Sequence, residues 1–156
     1  MLMRCLTAAA AALMLVNVSL GGKWDRFRGP NGQGVSDDTK VPLKWDDTKN
    51  LKWKRKLPGP GTSSPIIVGD KVFVTCYSGY GVGGGGGKIE NLTRHLVCVS
   101  RKDGKILWDK TVVHKGREDR YTRMLGEHGY ASNTPTTDGK NVYAFYGKSG
   151  VVAYDL

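Results

Sequence analysis

The sequence predicts an all-β protein of antiparallel, hairpin-connected strands. Three observations carry this. Short β-branched and aromatic runs alternate with glycine-containing turns, and one part of the chain repeats another. Nothing after the N-terminal apolar run keeps a helical period of about 3.6 residues for more than two turns.

The repeat sets the architecture. Ser63 to Val74 aligns with Asn133 to Ala144, matching Pro65 with Pro135, Gly69 with Gly139 and Val72 with Val142, at an offset of about 70 residues. Val97-Cys98-Val99 aligns with Val152-Ala153-Tyr154, and Leu51-Lys52-Trp53 with Ile106-Leu107-Trp108, both at about 55 residues. The unit is thus about 40–55 residues long, the size of one β-propeller blade. Two insertions of about 15 residues, Tyr77 to Arg94 and His114 to Gly129, account for the shifting offset.

Each piece then reads as a strand. Strands are expected near Leu51 to Leu57, Pro65 to Val68, Lys71 to Cys76, Leu96 to Ser100 and Ile106 to Val112. The second copy supplies Thr134 to Thr137, Asn141 to Tyr146 and Val151 to Tyr154. Asp103-Gly104-Lys105, Asp138-Gly139 and Gly147-Lys148-Ser149-Gly150 are the hairpin turns, with glycine supplying positive φ. The best helix candidate, Glu118 to Leu125, is short and lies inside an insertion.

The first 22 residues read as an export signal. One positive charge at Arg4 precedes an apolar run from Cys5 to Leu20, too short for a spanning helix, which needs about 20 apolar residues. Residues 23–48 form a lead-in and 49–156 the repeats, and the signal implies a periplasmic or secreted protein. No stable transmembrane span is expected.

The net charge of +10 is spread along the chain instead of concentrated on one helix or groove. It reads as solvated faces and turns, not as a nucleic-acid stripe. After signal removal two cysteines remain, Cys76 and Cys98. Borrowing the register of the second hairpin, with Tyr146 opposite Val151, places Val74 opposite Cys98. The two thiols then share a face as diagonal neighbours about 7–8 Å apart, too far for a disulfide.

At Gly104-Lys105-Ile106-Leu107-Trp108 the chain resembles the second half of the PQQ-like propeller repeat, A-x-D-x-x-T-G-K-x-x-W. Cys98, Ser100 and Asp103 stand where that repeat has Ala, Asp and Thr. Ala153-Tyr154-Asp155 fits the first half, and Trp53 resembles the closing tryptophan of a preceding blade. Trp24 to Ser36 is similar to the lead-in of exported planctomycete-type members. The resemblance implies a partial β-propeller of antiparallel four-stranded blades, about two of them, forming an N-terminal piece of a larger ring. It implies packing roles for Trp53, Gly104, Lys105, Trp108 and Asp155, with Trp108 largely buried against the next repeat.

Function classes follow from the same resemblance. One is a non-catalytic exported scaffold or binding module without cofactor, taking a protein or polymer ligand. The alternative is an N-terminal piece of a quinoprotein dehydrogenase, holding PQQ and calcium. Those enzymes need an acidic and amide cluster for calcium and often carry an adjacent Cys-Cys pair, which this chain lacks.

Few residues point to a site. Glu127-His128-Gly129-Tyr130, with Arg123, ends the second insertion and is the preferred ligand-binding candidate, because binding residues favour loops on a rigid scaffold. Its spacing fits no metal motif, so no metal ligand is assigned. The run Gly83 to Gly87, followed by Lys88 and Ile89, lacks the Ser or Thr and the helix of a phosphate loop and reads as a flexible linker. His95 reads as solvent-facing.

Overall fold

The computed structural model describes residues 24–116 and 118–156. The signal expected over residues 1–22 lies outside them. Nine strands and one short α-helix follow in order: β1 (Ile66–Val68), β2 (Lys71–Ser78), β3 (Tyr80–Val82), β4 (Gly86–Gly87), β5 (Thr93–Ser100), β6 (Ile106–Val113), α1 (Arg123–His128), β7 (Thr136–Thr137), β8 (Asn141–Phe145) and β9 (Val151–Asp155). The protein is all-β, and every strand pairing is antiparallel.

The strands form a four-stranded sheet in the order β1-β2-β5-β6, a three-stranded sheet β7-β8-β9, and the small β3-β4 hairpin. The two larger sheets share one register. Ile67 faces Val72 as Thr137 faces Val142, and Phe73 faces Cys98 as Tyr143 faces Ala153. The internal repeat seen in the sequence is therefore a repeat of strand pairing.

The sheets stack through their side chains. Ile66, Phe73, Leu96 and Cys98 of the first sheet meet Val142, Ala144 and Tyr146 beside the second. Cys76, Val97 and Val99 on the opposite face lie under Trp53 and Leu57. With both faces covered, β5 is buried from Arg94 to Val99, as its unbroken Leu96 to Val99 apolar run requires.

Several expectations change. Leu51 to Leu57 forms no strand. It has no ladder partner and instead lays Trp53 and Leu57 across the sheet face. The helix falls on Arg123–His128 instead of Glu118 to Leu125, and Gly129, at φ 66, ends it.

The expected hairpin register is wrong by one residue. Gly147–Ser149 form a 3-10 turn, and the Tyr146 amide bonds to the Gly150 carbonyl at 2.8 Å. Tyr146 thus belongs to the loop, and Phe145 closes the ladder opposite Val151. The same shift puts Phe73, not Val74, opposite Cys98 and sets Cys76 opposite His95. Side chains alternate along a strand, so one step moves a residue to the other face. Cys98 packs between the sheets and Cys76 on the far face, and both are free.

The glycine run is a hairpin, not a linker. Tyr80 pairs with Gly87 and Val82 with Gly86. Any side chain at Gly81, and at Gly85 a Cβ only 2.9 Å away, would overlap the Tyr121 ring. Glycine here permits close approach of two insertions.

The lead-in touches the body through Trp24, whose carbonyl accepts the Ile67 amide at 2.8 Å. No helix among the described residues is long and apolar enough to cross a membrane.

Candidate functional site

Both insertions leave the same end of the first sheet, because β2 ends, β5 begins and β6 ends there. Four tyrosines fill the space between them. Tyr77, Tyr80 and Tyr121 surround Tyr130 at centroid distances of 5.5, 5.8 and 6.5 Å. Leu92, Leu125 and Ala131 complete this second core. The hydroxyls turn inward to backbone: Tyr77 donates to the Gly81 carbonyl at 3.1 Å and Tyr130 to the Asp119 carbonyl at 2.7 Å. Burial pushes both phenols above their ordinary range, so they stay neutral donors.

Arg94 lies beneath this cluster. It sits in β5 with only 3% of its side chain exposed, and its Nη2 is 2.8 Å from Oε1 of Glu118, itself 6% exposed. Its Nε donates to the Tyr130 carbonyl at 3.2 Å and its Nη1 to Ser149 Oγ at 3.0 Å. Ser149 in turn donates to Glu118 at 3.1 Å. One buried cation thus joins the first sheet, the second insertion and the turn of the second sheet. A buried charge persists only when paired and hydrogen-bonded in this way. His114 Nδ1 lies 3.8 Å from the same Glu118 oxygen and has no hydrogen-bond partner among the described residues.

The sequence-derived candidates divide. Tyr130 is buried in the aromatic core. Glu127 and His128 are exposed on α1, and the His128 carbonyl accepts the Thr62 hydroxyl at 2.8 Å. Arg123 begins α1, and its side chain lies outside what the structure describes. Among the described side chains, Glu127 and His128 share a rim with Tyr130 beneath it.

Of the residues expected to pack, Trp53 and Gly104 meet each other, while Lys105 and Asp155 are exposed. Trp53 Nε1 donates to the Arg101 carbonyl at 2.9 Å, and a Cβ on Gly104 would lie 2.7 Å from its ring. Gly104 has φ 72, which a side chain resists. Hydrogen bonds from Ser100 and the Lys105 amide hold Asp103 below the usual carboxylate range, so this Asp, at the repeat's Thr position, caps the turn. Exposed Lys105 lies 3.5 Å from Asp103. Trp108 meets Phe73 at 5.6 Å and Tyr154 at 6.3 Å. It is partly exposed, contrary to the expected deep burial, because β6 is the outer strand of its sheet. Asp155 ends β9 opposite Asn141.

Sequence reasoning missed Arg94, Ser149 and the pairing of Arg94 with Glu118, and it placed His95 in solvent. His95 is 7% exposed, enclosed between strands and flanking polar groups. No residue pattern marks Arg94 and Glu118 as partners across an insertion. The apolar run that follows Arg94 and His95 was the available sign that this strand is covered on both faces.

Among the described residues no three His, Cys, Asp or Glu side chains gather to hold a metal ion. No family model, curated protein or solved structure matches the chain.

Proposed function

We propose that this chain is a repeat module of an exported PQQ-like β-propeller, serving as a scaffold whose insertion-bearing end binds a protein or polymer. The observation that carries the reading is the seat of Trp53 on the Arg101–Gly104 turn. It joins one repeat to the next through a ring against glycine and a donated indole hydrogen, the packing that the motif's residue types supply. The common register of the two sheets supports the same reading. On this reading the two larger sheets are blades of a ring of the kind that closes with about 4–8.

The insertion end is the binding end. It carries two long connections on a rigid sheet, and its aromatic core fixes them in place. PQQ belongs to the alternative reading.

Two measurements test the proposal. Incubation with PQQ and calcium, followed by absorbance and dye-linked alcohol oxidation, is expected to give neither bound quinone nor turnover; either one overturns the scaffold reading. Hydrogen exchange with unfolded outer-membrane polypeptide or peptidoglycan fragments is expected to protect residues 114–131. Protection confined to the sheet edges would remove the insertion end from the binding role.

A further inference from the structure

Three side chains on one face of the first sheet have no part in the packing or binding described above. Ser78 ends β2, His95 lies in β5 and Asp109 in β6. The ladder sets His95 opposite Cys76 and Thr111, with Ser78 and Asp109 on diagonals to it. Diagonal neighbours on one face lie within reach of long side chains.

The contacts have a defined polarity. Asp109 meets His95 Nδ1 with Oδ2 at 2.9 Å and Oδ1 at 3.1 Å. A carboxylate only accepts hydrogen bonds, so Nδ1 carries the proton and, in the neutral ring, Nε2 is the acceptor. Ser78 Oγ lies 2.8 Å from Nε2 and therefore donates to it. A hydroxyl aimed at a basic nitrogen, whose other nitrogen is held by a carboxylate, is the arrangement that activates serine for acyl transfer.

Burial suits the same role. The imidazole is 7% exposed, which protects its orientation, while Ser78 is partly exposed at the strand end. Gly79 follows at φ 82 and turns the chain away with no side chain beside the hydroxyl. The competing nucleophile on this face, Cys76, is buried, and burial pushes its thiol up to about 11.

We propose that Ser78 is an activated nucleophile toward small activated acyl esters, with His95 as its general base and Asp109 as the positioning residue. His95 Nε2 takes the Ser78 proton as Oγ bonds to the carbonyl carbon. The ester C–O bond then breaks, and the imidazolium returns the proton to the leaving alkoxide. Water repeats the sequence on the acyl-serine, releasing the acid and restoring Ser78. This adds a reaction to a chain proposed as a binding module and does not depend on that proposal.

The test is labelling of the full chain with a fluorophosphonate, read by intact mass and peptide mapping. The expected result is one adduct on Ser78, formed as the Oγ–P bond replaces P–F and fluoride leaves with the proton. General-base assistance is worth roughly 100-fold or more, so His95→Gln should slow labelling by about that factor. Asp109→Asn should slow it by about tenfold or more through the lost orientation of the ring, and Ser78→Ala should abolish it. Thermal unfolding of each variant is recorded alongside. No Ser78 adduct on the unmodified chain overturns the proposal, as does an adduct elsewhere. A folded His95→Gln chain that labels at the unmodified rate overturns it too. A row that only laces three strands together gives one of these results.

Discussion

Trp53 and Gly104 are locked in a pair: the indole lies where a Cβ on Gly104 would be, 2.7 Å from the ring, and its nitrogen donates to Arg101 three residues earlier. Gly104→Ala meets two penalties, a left-handed backbone and an occupied site. Together they should destabilise the chain by about 2–4 kcal/mol. Denaturant titration followed by tryptophan fluorescence checks this; a loss below about 0.5 kcal/mol would mean the ring moves freely aside.

Trp108 presents the contrasting case. Complete burial would predict a loss of about 3–5 kcal/mol for Trp108→Ala. The ring contacts Phe73 and Tyr154 but remains partly exposed on the outer strand, so the expected loss falls to about 2 kcal/mol, the transfer value for a partly covered large side chain. Calorimetry on Trp108→Ala beside Gly104→Ala separates the roles.

The Arg94–Glu118 pair should behave as a buried charge pair. Arg94→Met leaves a carboxylate 6% exposed without its cation, and a loss of about 3–5 kcal/mol is expected. The double variant Arg94→Met, Glu118→Gln should recover part of it, since no uncompensated charge remains. Equal losses in single and double variants would show that the pair contributes through packing alone.

Cys76 and Cys98 give a prediction in pH. Burial pushes both thiols up to about 11 from 9.0. Below pH 9 both states hold the protons and stability is unaffected. Between about 9 and 11 the unfolded chain releases them first, so stability falls as pH rises. Urea midpoints from pH 8 to 11 should decline, and less so in a Cys76→Ala, Cys98→Ala chain. With the segment holding Cys5 removed, two thiols should react in the denatured, unreduced chain and neither promptly in the native one. A flat midpoint series would remove the thiol contribution.

Strand content was legible because it rests on local chemistry: β-branched runs such as Lys71 to Cys76, and turns such as Asp103-Gly104. The register was not, because it hung on whether Tyr146 ends a strand or opens a loop, a choice made by the 3-10 turn at Gly147–Ser149. Leu51 to Leu57 has strand composition without a ladder partner, and pairing lies beyond composition. The glycine run has no side chain to show that its partner is Tyr121, far along the chain. Of the binding candidates, the aromatic character of Tyr130 was visible, but its place against Arg94 depends on a long-range contact.

Arg94 also bears on how the molecule opens. Its donors reach Tyr130, Ser149 and Glu118, which belong to separate segments. Fraying the 147–149 turn or lifting the second insertion would each leave part of this charge unpaired. The sheets and insertion should therefore exchange amide hydrogens as one cooperative unit, not as three independent ones. Protection in β5, β8 and residues 118–131 is expected to share one opening free energy, and replacing Arg94 should split that shared value into separate ones.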